Sequence, residues 1–108
     1  MKALNNIKFI SEATTRFNCL LTAIENAETF EEAKKIGNKA LGYIDCMIVY
    51  LNCMISKENN DFTQELDELI EDMMASIYQK VADKATETEQ DHDTVHKLLI
   101  KRDECKSH

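Results

Sequence analysis

A near-perfect seven-residue repeat occupies residues 43–55, which read YIDCMIVYLNCMI. Tyrosine, cysteine, methionine and isoleucine each recur there seven positions later, and seven residues make two turns of a packed helix. Only Asp45 and Asn52 are polar, and at about 100° per residue they share one narrow stripe of the helix surface. The rest of the helix surface is apolar, and this apolar arc is much wider than the stripe that a surface helix needs. The repeat therefore predicts a helix that is covered from two sides.

The apolar arc of this helix divides into two faces on a helical wheel. The aliphatic face is expected to be the core of the domain, and it consists of Ile44, Met47, Ile48, Leu51, Met54 and Ile55. The second face, here called the Tyr/Cys face, consists of Tyr43, Cys46, Val49, Tyr50 and Cys53. Tyrosine combines an apolar ring with a polar tip and is enriched at protein interfaces. Three coverings of this face stay open: a fourth helix near the C-terminus, a second copy of the chain, or a foreign partner.

The composition predicts an all-α fold. The 108 residues suit one domain, residues 1–108, and the absence of proline with only two glycines favours long helices joined by short links. We predict a small helical bundle in which three long helices pack up-down-up and a short C-terminal fourth helix docks on them. The helices are expected at about residues 5–27, 30–56, 62–88 and 93–104.

Capping residues predict where the second, third and fourth helices begin, and Asp61 in the sequence Asp61-Phe62-Thr63-Gln64 is the candidate for the third. Thr29 and Glu32 have the spacing of a capping box, in which each side chain accepts a hydrogen bond from a free backbone N–H group. Asp91 or Asp93 is expected to cap the fourth helix in the same way. Between residues 82 and 93 no large apolar side chain occurs, so the third helix is predicted to fray or project into solvent before a break near Gln90.

Gly37 leaves two interpretations of the second helix. Lysines before a glycine are typical of a helix end, which would place a break there. The apolar positions on both sides of Gly37 nevertheless stay in phase, so we prefer one continuous helix. In that interpretation the glycines and alanines of this helix let the first helix approach closely.

The charge balance disfavours some partners. Thirteen Lys and Arg against twenty Asp and Glu give a formal charge of -7, which repels nucleic acid and anionic membranes. The start of the chain lacks the apolar run of a secretory signal, and the 43–55 helix is too short to cross a membrane. Four cysteines then fit free thiols in the cytoplasm.

One face of the predicted third helix is acidic, and it carries Asp61, Glu65, Glu68 and Asp72. Such a face is either simply solvated or docks on a basic protein surface, and carboxylates can also hold Mg²⁺ for a phosphate substrate. The pairs Glu28-x-x-Glu31 and Glu58-x-x-Asp61 resemble the paired motif of the MazG-like all-helical nucleotide pyrophosphohydrolases. That resemblance implies a Mg²⁺-dependent nucleotide hydrolase, and it assigns no individual site residue here.

Two histidines lie four residues apart in the sequence His92-Asp93-Thr94-Val95-His96. This is one letter away from the His-Glu-x-x-His zinc motif, in which the glutamate is the catalytic base. Here the acid is the shorter Asp93, and no further histidine occurs before His108. We assign no metal, no cofactor and no catalytic residue to the chain.

The sequence predicts a non-enzymatic protein–protein interaction module of the adaptor, inhibitor or immunity type. It would act through the acidic helix or the Tyr/Cys face on another protein, which either has a basic surface or is a second copy in a homodimer. No nucleic acid and no membrane is expected as a partner. The alternative is the Mg²⁺-dependent pyrophosphohydrolase-like enzyme that uses helix carboxylates.

Overall fold

The computed structural model describes the backbone of residues 8–54 and 60–105 and the side chains of residues 10–50 and 64–105. It contains the helices α1 (Lys8–Asn26), α2 (Phe30–Met54), α3 (Asn60–Glu87) and α4 (His92–Glu104). The predicted all-α fold, with three long helices and a short fourth one, is confirmed. The predicted start of the first helix at residue 5 lies outside the described residues.

Contacts between the helices establish their directions. Ala13, early in α1, lies beside Met47, late in α2, so these two helices are antiparallel. Gly37, early in α2, faces Val81, late in α3, which makes this pair antiparallel as well. The predicted up-down-up arrangement of the three long helices follows.

The core forms where these three helices meet. The aliphatic face of α2 enters it as predicted, since Ile44 and Met47 are buried and Ile48 is half-buried. The side chains of Leu51, Met54 and Ile55 lie outside the described side chains. The rest of the buried cluster is apolar and consists of Ile10, Ala13, Phe17, Ile24, Ala27, Phe30, Ala33, Ala40, Leu66, Met73, Ile77, Val81 and Ala85.

α2 passes through Gly37 without a break, which confirms the preferred interpretation. A Cβ atom on Gly37 would lie 2.9 Å from Cγ2 of Val81 and 3.6 Å from Cγ2 of Ile77. The helix brought close at this glycine is therefore α3, whereas α1 was expected. Gly42 is exposed, and nothing lies within 4 Å of the position its Cβ would take, so it gives no helix a close approach.

The end of α3 is packed, and the prediction that it frays or projects into solvent is wrong. Ala82, Lys84 and Ala85 are all buried. The prediction considered only large apolar residues. Small residues such as Ala82 and Ala85 also allow helices to pack closely, and Lys84 is buried in the same contact. The predicted break near Gln90 is correct: α3 ends at Glu87, and Glu89 adopts a positive φ of 58°.

The caps predicted at Thr29 and Asp91 are present, whereas α3 begins at Asn60, so Asp61 lies inside the helix and is not its cap. Oγ1 of Thr29 accepts a hydrogen bond from the N–H of Glu32 at 3.1 Å, and Oε2 of Glu32 accepts one from the N–H of Glu28 at 3.3 Å. Asp91 caps α4, because its Oδ1 accepts a hydrogen bond from the N–H of Thr94 at 2.8 Å. Hydrogen bonds from the side chain and the backbone of Thr94 hold the pKa of Asp91 below its usual value.

Candidate interaction surface

The fourth helix does not cover the Tyr/Cys face. α4 packs along α3, and on the α2 side its Leu98 and Lys101 line a small cavity together with Lys34 and Leu41. These α2 residues precede the Tyr/Cys face in the chain. The sequence left three coverings of the Tyr/Cys face open, and the first of them was the fourth helix. The described part of α4 does not provide that covering.

The Tyr/Cys face is largely exposed to solvent. Val49 is 64% exposed and Tyr50 46% exposed, Cys46 is exposed, and Tyr43 is half-buried. Among the described side chains only three large hydrophobic residues are exposed, and two of them lie on this face. The side chain of Cys53, the fifth member predicted for the face, lies outside the described side chains.

A groove of about 420 Å³ runs between α1 and α2 beside this face. Its α2 side is formed by Tyr43, Cys46, Met47 and Tyr50, and its α1 side by Glu12, Ala13 and Arg16. Ala13 is buried, whereas Glu12 and Arg16 are exposed. As far as its side chains are described, this groove, called the α1/α2 groove below, is therefore apolar inside and carries one charge of each sign along the α1 side.

Sequence reasoning missed the contribution of α1 to this surface. The Tyr/Cys face was derived from the wheel of one helix, and a wheel cannot show which neighbour borders it. Glu12 and Arg16 lie four residues apart, which places them on one side of α1. That spacing was a usable signal once α1 and α2 were known to be antiparallel.

One end of the acidic face of α3 lies beside α4. Glu65 is half-buried, and Glu68 and Asp72 are exposed, while the side chain of Asp61 lies outside the described side chains. Asp72 lines a cavity of about 540 Å³ together with Arg102 of α4. The basic end of α4 thus lies beside one end of the acidic face, and opposite charges meet within the chain.

The contact between α3 and the end of α4 also shifts two pKa values. Burial, followed by the nearby Cys105 and Glu104, raises the pKa of Tyr78. Burial is again the main cause that raises the pKa of Cys105, with smaller contributions from Glu104 and Glu71. A thiol is a nucleophile only in its thiolate form, so this environment makes Cys105 less reactive than an ordinary cysteine.

The histidine pair lies at the start of α4. The rings of His92 and His96 are stacked, with their centroids 5.8 Å apart and their planes 15° apart. Asp93 forms an ion pair with Lys97 at 3.1 Å. Within the described part of the chain, no group of three His, Cys, Asp or Glu side chains is arranged to hold a metal ion. Glu58 and the side chain of Asp61, half of the hydrolase-like motif, lie outside that part.

Lys84 is buried among the described side chains of the core, and the sequence interpretation did not identify it. Nζ of Lys84 donates a hydrogen bond to the carbonyl oxygen of Glu25 at 2.9 Å and forms an ion pair with Glu87 at 3.2 Å. The last carbonyl groups of a helix lack partners within the helix, so Lys84 satisfies one at the end of α1. Its spacing from Ile77 and Val81, which puts it in the core phase of α3, was the available signal.

No protein family, curated protein or solved structure matches this chain. In the described residues, no helix combines the length and the apolar character needed to cross a membrane.

Proposed function

We propose that this chain is a non-enzymatic protein–protein interaction module, of the adaptor, inhibitor or immunity type, that acts through the Tyr/Cys face and the α1/α2 groove. One observation carries the proposal: Val49 and Tyr50 are exposed on the same helix face as an apolar groove of about 420 Å³. Exposed apolar surface next to a concave apolar site is typical of a place where a partner binds.

The residue types on this surface suit a protein partner. A tyrosine ring and a valine that enter an interface leave water, which contributes about 25 cal/mol for each Å² of apolar area. Tyr50 also has a hydroxyl group that can stay hydrogen-bonded at the edge of an interface. A buried aromatic anchor surrounded by weaker contacts is the usual energetic centre of a protein–protein interface.

Charge adds a preference for certain partners. The chain carries a formal charge of -7, and Glu68 exposes its carboxylate on the acidic face. A partner with a basic surface beside its apolar contact would associate faster than a neutral one. Such association should slow as the salt concentration rises, because salt screens exposed charges.

Free thiols support a reducing location for this function. The cysteines in the described part of the chain, Cys19, Cys46 and Cys105, are all unpaired. Structural disulfides are rare in the cytoplasm and common in secreted proteins. We therefore propose that the interaction takes place in the cytoplasm.

Photocrosslinking from the face itself tests the proposal. A photoreactive amino acid replaces Val49 in the full chain, which is expressed in its source organism and irradiated. We expect a discrete covalent adduct, because Val49 is 64% exposed within the proposed interface. Gel mobility and mass spectrometry give the mass of the adduct.

Two controls make this result specific. The same photoreactive residue at Asp83, an exposed position on α3, should give no discrete adduct. Tyr50→Lys in the Val49-labelled chain should remove the adduct and leave the fold intact, because Tyr50 is exposed and lysine is a good helix former. Equal labelling from positions 49 and 83 would contradict the proposed function.

A further inference from the structure

We infer that the partner of the α1/α2 groove is a second copy of this chain, bound antiparallel about a two-fold axis level with Cys46. This inference rests on the proposed function and names its partner. Tyr43 and Tyr50 are equally spaced on either side of residues 46–47. A two-fold axis at that level therefore places Tyr43 of each copy opposite Tyr50 of the other.

The charges on α1 fit the same axis. Residues 12–16 of α1 and residues 43–50 of α2 line one groove, so position 14 of α1 lies level with positions 46–47 of α2. Glu12 and Arg16 lie two positions on either side of that level. An antiparallel copy thus brings Glu12 of each chain opposite Arg16 of the other, and two ion pairs form.

A parallel dimer does not have this complementarity. Its axis runs along the helices, so α1 of one copy lies across from α2 of the other at the same level. Glu12 and Arg16 would then face the partner's α2, where the described lining of the groove carries no charged residue. An isologous interface must be complementary to itself, and on this surface only the antiparallel arrangement pairs unlike charges.

The groove is also a place where two acidic chains can meet. Each chain has a formal charge of -7, but Glu12 and Arg16 have opposite charges and are the charged residues among the described side chains that line the groove. Asp45, the nearest acid in sequence to Cys46, projects about 100° away from it around α2. It therefore lies at the edge of the contact and not at its centre.

Disulfide trapping tests the position of the axis. Packed helices lie about 8–10 Å apart and their Cα atoms lie about 2.3 Å from each axis. Facing Cα atoms are then separated by roughly 3.5–5.5 Å, and the upper part of this range matches the Cα separation of a disulfide. We expect full chains that keep only Cys46, with Cys19, Cys53 and Cys105 changed to serine, to form a covalent dimer when diamide takes up two electrons and two protons from the thiols.

The matched control keeps only Cys53, one heptad later on the same face. About an antiparallel axis at residues 46–47, the two Cys53 positions are separated by roughly 20 Å along the helices. We expect the Cys46-only chain to crosslink at least about tenfold faster than the Cys53-only chain. Crosslinking at equal rates would indicate a parallel dimer and overturn the inference.

Charge reversal tests the proposed ion pairs by a second measurement. Glu12→Arg and Arg16→Glu each place like charges opposite one another, so each should weaken the dimer by roughly three- to tenfold, since exposed pairs contribute modestly. The double variant restores the pairing and should recover most of the affinity. Sedimentation equilibrium of the reduced full chain gives the dissociation constants, and no recovery in the double variant would contradict the arrangement.

The photocrosslink at position 49 separates failure of this inference from failure of the proposed function. An adduct of twice the chain mass, together with a dimer in sedimentation, supports both. A monomer at about 100 μM with a Val49 adduct of another mass overturns the second copy and leaves the interaction module standing. The absence of any discrete adduct from position 49 overturns both.

Discussion

The two faces of α2 are made of similar residues but have opposite environments. On the core face, Ile44 is 1% exposed and Met47 3% exposed, whereas on the Tyr/Cys face Val49 is 64% exposed and Tyr50 46% exposed. Apolar composition alone therefore does not determine burial. What separates the two faces is the position of the other helices.

The turn before α4 determines where this helix lies. α3 ends at Glu87 and α4 begins at His92, and so short a link returns the chain directly alongside α3. α4 has no buried residue and contacts the core through the half-buried Val95 and Leu98. It ends beside Asp72 and Gln79 of α3, so it borders only the first half of α2.

The largest expected effect compares Ile44 with Val49. Ile44→Ala leaves a cavity in the core and should lower the free energy of unfolding by about 3 kcal/mol. Val49→Ala removes apolar surface that is already in solvent, so it should change that free energy by less than about 0.5 kcal/mol. Urea denaturation at low protein concentration, where a dimer contributes little, measures both values.

The comparison would fail if Val49→Ala destabilised the monomer as strongly as Ile44→Ala. Val49 would then be packed in solution, and the Tyr/Cys face would belong to the core. The proposed function would lose its main support.

The next effect compares the two glycines of α2. Replacing each by alanine should change the free energy of unfolding in opposite directions. Gly37→Ala brings a Cβ atom to 2.9 Å from Cγ2 of Val81, a stiff β-branched side chain. Overpacking should outweigh the gain in helix propensity, for a net loss of about 1 kcal/mol. Gly42→Ala meets open space and should raise stability by roughly 0.5–1 kcal/mol.

Thermal unfolding followed by circular dichroism measures this pair. Stabilisation by both substitutions would show that α2 and α3 have room to separate at Gly37, and the close approach of these helices would be wrong. Destabilisation by Gly42→Ala would show that the second half of α2 is covered on that side.

The smallest effect is local to α4 and depends on pH. The pKa of Asp91 is lowered in the folded chain by its hydrogen bonds from Thr94, so its stabilising contribution is present above the ordinary aspartate pKa of about 3.9. That contribution is lost as the pH falls through the lower folded value. Amide hydrogen exchange in the first turn of α4 should then speed up, relative to α2, after correction for intrinsic rates.

Asp91→Asn is the matched control, because asparagine caps helices about as well as aspartate and does not titrate. Exchange in its first turn should lack the acid-dependent step. If wild type and Asp91→Asn responded alike to acid, the carboxylate of Asp91 would not be the group responsible.

The helices and their caps were largely predictable because they depend on local patterns. The phase of the apolar residues predicted that α2 continues through Gly37. Thr29 and Asp91 marked two helix starts, and the helix bounds were close to those expected. Local rules failed at Lys84, whose burial depends on a carbonyl oxygen of α1 that is distant in sequence. They also assigned Gly37 to the wrong neighbour, because a wheel shows a face without showing what lies against it.

Residues 43–55 alone were enough to specify a helix with two apolar faces, since side-chain periodicity is a property of the local chain. Which of those faces became core depended on the long-range arrangement of α1, α3 and α4. Short links made the helices antiparallel, Gly37 admitted α3, and the turn at residues 88–91 directed α4 along α3. The Tyr/Cys face stayed exposed because none of the described helices is placed to cover it.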